Sequence, residues 1–170
     1  MKGNIPIEIP TKKYIKAYII AKLGDKPLMS PRHNIGAKFY DLLFHEINED
    51  KLRFSNQRYN AHLKLYVSYH TFYHRGAFLN ETAIKNFNNY VEREIKDTFR
   101  HHMDFYLTHH PNFKANLPAV RKILGIDVEQ WDDDSIKKDY YRYRIKKPGS
   151  LLYTKEQPRV ISNRHCDQAF

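Results

Sequence analysis

The longest helical pattern in the chain lies between Asn80 and Pro111. Apolar or aromatic side chains recur there every three or four residues, and no Gly or Pro interrupts them. The repeating positions are Ile84, Phe87, Val91, Ile95, Phe99, His102, Met103 and Tyr106. Because Asn80 is a favourable N-cap, the pattern predicts one helix from Asn80 through roughly Thr108. A helix of this length spans about 40 Å, which suits either an ordinary core helix or the spine of a homodimer.

Alternating patterns at two places predict a small β element. Residues 5–9 alternate isoleucines with other side chains, and Pro6 and Pro10 confine that strand to a sheet edge. Residues 61–73 alternate in the same way and are rich in β-branched and aromatic side chains, which favour a half-buried strand. The two strands are therefore candidates for pairing with each other.

Two shorter helices complete the predicted body. Thr11 can cap a helix that runs to about Leu23 and is stopped by Gly24. A second helix is predicted over residues 34–47, with an apolar face. The chain is thus expected to be mainly α with a small β element, an α+β fold around a long central helix. Residues 1–110 are predicted to form this helical body.

The pattern after Pro111 indicates two helices joined by a turn. Asn116 can cap a short helix that ends before Gly125, and Pro118 then falls in its first turn. A second helix is predicted to begin near Asp132–Asp134, where negative charge is favourable, and to run to about residue 146. This order is the outline of a helix-turn-helix.

Residues 112–147 are accordingly predicted to form a basic, helix-turn-helix-like unit. The side chains expected to pack it are Leu117, Val120, Ile123, Leu124, Ile126, Trp131 and Ile136. Two features depart from a standard helix-turn-helix. Arg121 occupies the position where a small residue is usual, and the connection from Gly125 to Asp132 is longer than a short turn.

Positive charge is concentrated near the C-terminal end. The chain has a formal net charge of +10, which raises the expectation of a polyanionic partner. Between Lys137 and Arg164 there are nine Lys or Arg residues and two acids. The residues predicted to contact nucleic acid are Lys137, Lys138, Arg142, Tyr143, Arg144, Lys146 and Lys147. Lysines neutralise phosphates, whereas Arg142 and Arg144 can also pair with guanine. The alternative is that these cations only solvate a helix end and favour its dipole.

One resemblance rests on the same residues. Leu124-Gly125-Ile126, followed by a link containing Trp131 and aspartates and then by the basic sequence from Lys137, resembles small DNA-binding regulators of bacteriophages and mobile elements. The resemblance covers residues 116–147. It implies a transcriptional or element-maintenance role. A second hypothesis is an assembly or interaction protein of a virus or mobile element that has no enzymatic activity.

Catalytic and metal-binding chemistry is not predicted. His70 and His74 could pair as zinc ligands only if they lie on a helix, whereas the alternating pattern places them on a strand. The three aspartates from Asp132 are typical of a helix start. No phosphate-binding loop, nucleophile elbow or Cys pair is present in the sequence. We therefore predict no cofactor, no metal and no catalytic residue, and a histidine-based nuclease is the weakest hypothesis.

The remaining expectations concern location and partners. The one cysteine, Cys166, allows no disulfide within the chain, and no apolar run is long enough to span a membrane. These features favour a cytoplasmic protein that does not bind membrane. The expected partner is nucleic acid, DNA rather than RNA. A homodimer is the expected assembly if the long helix serves as its spine. Residues 148–170 are predicted to be a polar tail.

Overall fold

A computed structural model describes residues 3–45 and 59–146 of the chain. This part is mostly helical with a two-stranded antiparallel sheet, so the predicted α+β fold class is confirmed. The elements in chain order are β1 (Ile5–Thr11), α1 (Lys13–Leu23), α2 (Asn34–Tyr40), β2 (Ala61–Val67), α3 (Tyr69–Arg75), α4 (Glu81–His109), α5 (Phe113–Leu124) and α6 (Asp133–Lys146). The predicted tail over 148–170 lies outside the described residues.

The long central helix is confirmed as α4. The Asn80 side chain caps it by accepting a hydrogen bond from the Ala83 backbone N–H at 2.7 Å. The helix is unbroken over 29 residues. Its predicted apolar stripe is buried, except that His102 and Tyr106 are half-buried. Helix α4 therefore supplies one wall of the core along most of its length.

The two predicted strands pair with each other. Their register runs from Ile5 opposite Val67 to Thr11 opposite Ala61. The prediction that the second strand reaches residue 73 is wrong, because β2 ends at Val67 and helix α3 follows. Strand β1 has no residue left with which the chain beyond Val67 could pair. The Ser68 hydroxyl instead accepts a hydrogen bond from the Thr71 N–H at 3.1 Å and starts the helix.

The start of α1 differs from the prediction. Thr11 is the last residue of β1 rather than a cap, and its buried hydroxyl donates to the Asn88 side-chain oxygen at 2.5 Å. Lys12 occupies the N-cap position without a side-chain capping bond. The Lys13 N–H is satisfied by the Asn60 side-chain oxygen at 3.0 Å. A distant amide therefore replaces the local cap, while Gly24 ends the helix as predicted.

Helix α2 is shorter than the predicted 34–47. It ends at Tyr40 because the chain then turns to pair with a distant segment. The Phe44 N–H donates to the Phe78 carbonyl at 2.9 Å, and the Phe78 N–H donates to the Phe44 carbonyl at 3.2 Å. This antiparallel bridge requires extended backbone at Phe44, which a continuing helix does not provide. Residues 46–47 lie outside the described residues.

The chain divides into two compact units, one ending at Asp132 and the other beginning at Asp133. In the first unit, Trp131 stacks on Tyr14 with ring centroids 5.2 Å apart and meets the edge of Phe99 at 5.8 Å. The described part of the second unit is α6. No helix in the described part of the chain is long and apolar enough to cross a membrane.

Candidate nucleic-acid interface

Helix α5 begins one turn earlier than predicted. Asn112 is the N-cap, and its side chain accepts a hydrogen bond from the Ala115 N–H at 3.1 Å. Asn116, the predicted cap, is buried inside the helix, where its amide donates to the His110 carbonyl at 2.7 Å. Pro118 therefore lies in the helix interior rather than in the first turn, and it lacks the N–H that would bond to Lys114.

The end of α5 is fixed by a left-handed glycine. Gly125 has φ 64° and ψ 34°, and the Ile126 N–H bonds back to the Arg121 carbonyl at 3.2 Å. This is a Schellman-type ending, for which glycine is the preferred residue. A β-carbon at position 125 would also lie 2.3 Å from the Ala21 β-carbon. The predicted break at Gly125 is thus confirmed. Any larger side chain there would be strained both by the positive φ and by the contact with Ala21.

Arg121 organises the link that follows. Its side chain is buried, and one guanidinium nitrogen donates to the Asp127 carbonyl at 2.9 Å. The other terminal nitrogen donates to the Trp131 carbonyl. A small residue could not bridge these two carbonyls. Arg121, which departs from the helix-turn-helix pattern, is therefore the residue that holds the long connection in place.

The predicted packing residues on either side of this link are buried, with one exception. Within the first unit they are Leu117, Val120, Leu124, Ile126 and Trp131. Ile123 is 47% exposed, because it lies on the outer face of α5. In the second unit, Ile136 is buried. The pattern of apolar residues is thus a good guide to burial at every position but 123.

Helix α6 contains six of the seven residues predicted to contact nucleic acid. It begins at Asp133, and Asp133 and Asp134 lie in its first turn, as the acidic start predicted. Lys137, Lys138 and Arg142 are exposed. Lys146 is the last residue of the helix, and Lys147 lies outside the described residues.

The other two predicted residues are less accessible. Tyr143 is half-buried, with its ring centroid 6.3 Å from that of the buried Tyr140. Arg144 is also half-buried, and its guanidinium lies over the Tyr140 ring at 5.9 Å from the centroid. Arg144 is therefore partly engaged within its own helix, whereas Arg142 is open to solvent.

Tyr141 is a residue to which the sequence alone assigns no role. It is 40% exposed and lies four residues after Lys137, so the two side chains share one face of the helix. Lys138 and Arg142 share a neighbouring face by the same spacing. The exposed surface of α6 thus combines three cations with an aromatic ring that could stack or hydrogen-bond. The four-residue spacing from Lys137 is the sequence feature that could have indicated Tyr141 as a contact residue.

Three lysines of the first unit are neutralised by acids. Lys12 and Lys96 contact the two carboxylate oxygens of Glu92 at 2.7 and 2.8 Å, and Lys22 contacts Glu94 at 2.6 Å. Burial alone would raise the pKa of Glu92, but the hydrogen bonds from Lys12 and Lys96 outweigh it and lower this pKa to about 2. These lysines therefore serve the folded structure and are poorly placed to bind an external anion.

The exposed cations of α6 differ from these three lysines. Of the ion pairs that the structure shows among its described residues, none includes Lys137, Lys138 or Arg142. Their positive charge is available to a partner.

An open groove in the first unit has a different character. Its volume is about 670 Å³, and Lys13 and Lys16 lie on its rim. Glu129 and Gln130 also line it, and Ile20 contributes apolar surface. Because both signs of charge are present, the groove offers no continuous field for a polyanion. The exposed face of α6 is the stronger candidate.

Comparisons with protein-family models, with curated proteins and with solved structures find no match for this chain. The resemblance to phage and mobile-element regulators, the helix-turn-helix interpretation and the domain boundaries at 110 and 147 stay predictions.

Proposed function

We propose that this protein binds nucleic acid, DNA in preference to RNA, through the exposed basic face of α6. The observation that carries the proposal is the set of solvent-exposed cations Lys137, Lys138 and Arg142, which take part in no ion pair that the structure shows among its described residues. The role that fits best is a transcriptional regulator or accessory factor of a phage or mobile element.

Helix geometry supports this use of α6. Its 14 residues extend over about 21 Å, and a single helix fits the major groove of B-DNA. Lysine ammonium groups on its surface neutralise phosphates and release condensed counterions. The guanidinium of Arg142 can pair with both acceptors of guanine, which a lysine cannot do with the same geometry. Tyr141 adds an aromatic face that can stack or a hydroxyl that can reach a phosphate.

Salt dependence of binding tests the electrostatic part. We expect the triple variant Lys137→Ala, Lys138→Ala, Arg142→Ala to flatten the slope of log affinity against log salt by roughly 2–3, because each phosphate that the protein no longer neutralises removes about 0.9 from the slope. A matched control removes three exposed cations outside α6, by Lys26→Ala, Arg32→Ala and Lys85→Ala. The control should keep the wild-type slope. Equal effects of the two triple variants would mean that binding reflects net charge alone.

A charge-conserving change tests base recognition. Arg142→Lys keeps the cation but removes the two-donor fork, so affinity for a duplex selected from random sequence should fall by about 1–3 kcal/mol. Affinity for unselected duplex should change little. The alternative in which these cations only solvate a helix end predicts instead that wild-type protein, with its helicity intact by circular dichroism, binds neither duplex DNA nor RNA at low salt. That result would overturn the proposed function.

A further inference from the structure

Helix α3 carries a pair of histidines with chelating spacing. His70 and His74 are four residues apart, so on a helix they lie on one face, one turn apart. Their ring centroids are 4.3 Å apart, and both side chains are exposed. The alternating sequence pattern places these residues on a strand. The helix capped by Ser68 brings the two rings together instead.

The spacing suits a first-row divalent ion. Bonds of about 2.0–2.1 Å in a tetrahedral site put two ligand nitrogens about 3.4 Å apart. A centroid separation of 4.3 Å is compatible with one nitrogen from each ring at that distance. His45 lies beside the pair, but its Nε2 is 2.9 Å from the His74 carbonyl oxygen, a hydrogen bond to the backbone.

One chain supplies only part of a zinc site. Structural zinc is almost always held by four protein ligands in a tetrahedron. Among the residues that the structure describes, no cluster of three or more His, Cys, Asp or Glu side chains is arranged to hold a metal. Two ligands from one chain leave two positions to be filled, and a two-fold axis through the ion would fill them with the same two histidines of a second copy.

The surface around the pair is the kind that a second copy could cover. Tyr69 and Tyr73 form a parallel row on the next face of α3 and are 50% and 70% exposed. Phe72 is exposed beside Tyr69, with ring centroids 6.4 Å apart. Contiguous exposed aromatic surface is uncommon on a monomer and marks sites of association. The aromatic rows would flank the ion on both sides of the two-fold axis.

We propose that His70 and His74 form half of a tetrahedral zinc site that two copies of this chain complete. Each copy contributes two neutral imidazoles, and the exposed tyrosines pack around the shared ion. This site does not depend on the proposed role of α6. The dimer surface that it implies lies on α3 rather than on the long central helix, and the dimer forms only in the presence of Zn²⁺.

Light scattering on the full chain without a histidine tag tests the proposal. Chelator-treated protein should have the monomer mass of 20.4 kDa, and half an equivalent of Zn²⁺ per chain should raise it to about 41 kDa. Excess chelator should reverse the change. His70→Ala and His74→Ala should each abolish the response. The matched control is the double variant His101→Ala, His102→Ala, whose consecutive rings are 5.7 Å apart on different faces of α4; it should respond as the wild type does.

Spectroscopy provides a second readout. Co²⁺ in place of Zn²⁺ should give the strong visible absorption of a tetrahedral site at half an equivalent per chain. A wild-type mass that does not change with Zn²⁺ would overturn the proposal. So would binding of one ion per monomer with the weak spectrum of octahedral Co²⁺, or a zinc response that survives in His74→Ala.

Discussion

Arg121→Met is the most informative single change in the described part of the chain. Methionine keeps an unbranched apolar side chain but removes every side-chain N–H donor of arginine. The Asp127 carbonyl, now 2.9 Å from a guanidinium nitrogen, and the Trp131 carbonyl would both lose their bond to residue 121. The link between α5 and Asp132 would then be held by its remaining turn hydrogen bonds and by the packing of Trp131.

The expected destabilisation follows from the two bonds. A hydrogen bond from a charged donor contributes about 1.5–3 kcal/mol. Part of the effect is offset, because a buried guanidinium carries a desolvation cost that methionine does not. We expect the free energy of unfolding to fall by about 2–4 kcal/mol. For a domain of this size that corresponds to a decrease in Tm of roughly 5–15 °C.

Urea denaturation with two probes measures this change. Trp131 is the only tryptophan in the chain, is 8% exposed and stacks on Tyr14, so its fluorescence reports on the link. Far-UV circular dichroism reports on the helices. Both transitions should move to lower urea in Arg121→Met. The control is Lys122→Met, which removes an exposed cation from the same helix and should change stability by less than about 0.5 kcal/mol.

Equal stability of Arg121→Met and Lys122→Met would refute this role for Arg121. A second result would also refute it. In folded Arg121→Met, the Trp131 emission maximum would lie where a solvated indole emits, while the circular dichroism transition stays at the wild-type urea concentration. That combination would mean that Arg121 orders the link without contributing to the stability of the fold.

Two further predictions concern the first unit. Glu92→Gln should lower the free energy of unfolding at pH 7 by about 1–2 kcal/mol, because the lowered carboxyl pKa of about 2 reflects its lysine partners, which are themselves partly solvated. This stabilisation is present above the ordinary pKa of 4.5 and is lost as the pH falls toward 2, so the difference in free energy of unfolding between wild type and variant should disappear over that range in denaturation curves measured at several pH values. A difference that persists at pH 2 would contradict the assignment. The exposed Glu129→Gln serves as the control. Gly76→Ala should destabilise by about 1–3 kcal/mol, because Gly76 has φ 81° and an added β-carbon would lie 1.9 Å from the Phe44 carbonyl oxygen. Thermal unfolding checks it against Gly3→Ala, where a β-carbon meets nothing within 4 Å.

Local patterns predict the elements that depend on local information. Helix α4 is predicted closely because its period repeats over 29 residues and its cap, Asn80, is adjacent. The end of α2 is missed because its cause, the pairing of Phe44 with Phe78, lies far along the chain. The aromatic side chains of residues 69–73 favour a strand, yet the cap at Ser68 and the end of β1 decide otherwise.

The candidate site is predictable in its charges but not in its exposure. Sequence alone identifies the cations of α6, because their concentration is visible without coordinates. It selects Tyr143 although Tyr141 is the more exposed of the two, since the structure decides which side of the helix is buried. It marks Arg121 as unusual but cannot show why, because the two carbonyls that it bonds are brought near it by the folded link.

The pairing of β1 with β2 has a consequence for how the protein reaches its native state. Partner residues in this sheet are between 50 and 62 positions apart in the chain, from Thr11 with Ala61 to Ile5 with Val67. Helices α4 and α5 are joined by only three residues. Closing the long loop costs more entropy than docking two adjacent helices. We expect the α4–α5 hairpin to form early in folding and the N-terminal strand to join last, so that β1 substitutions mainly accelerate unfolding.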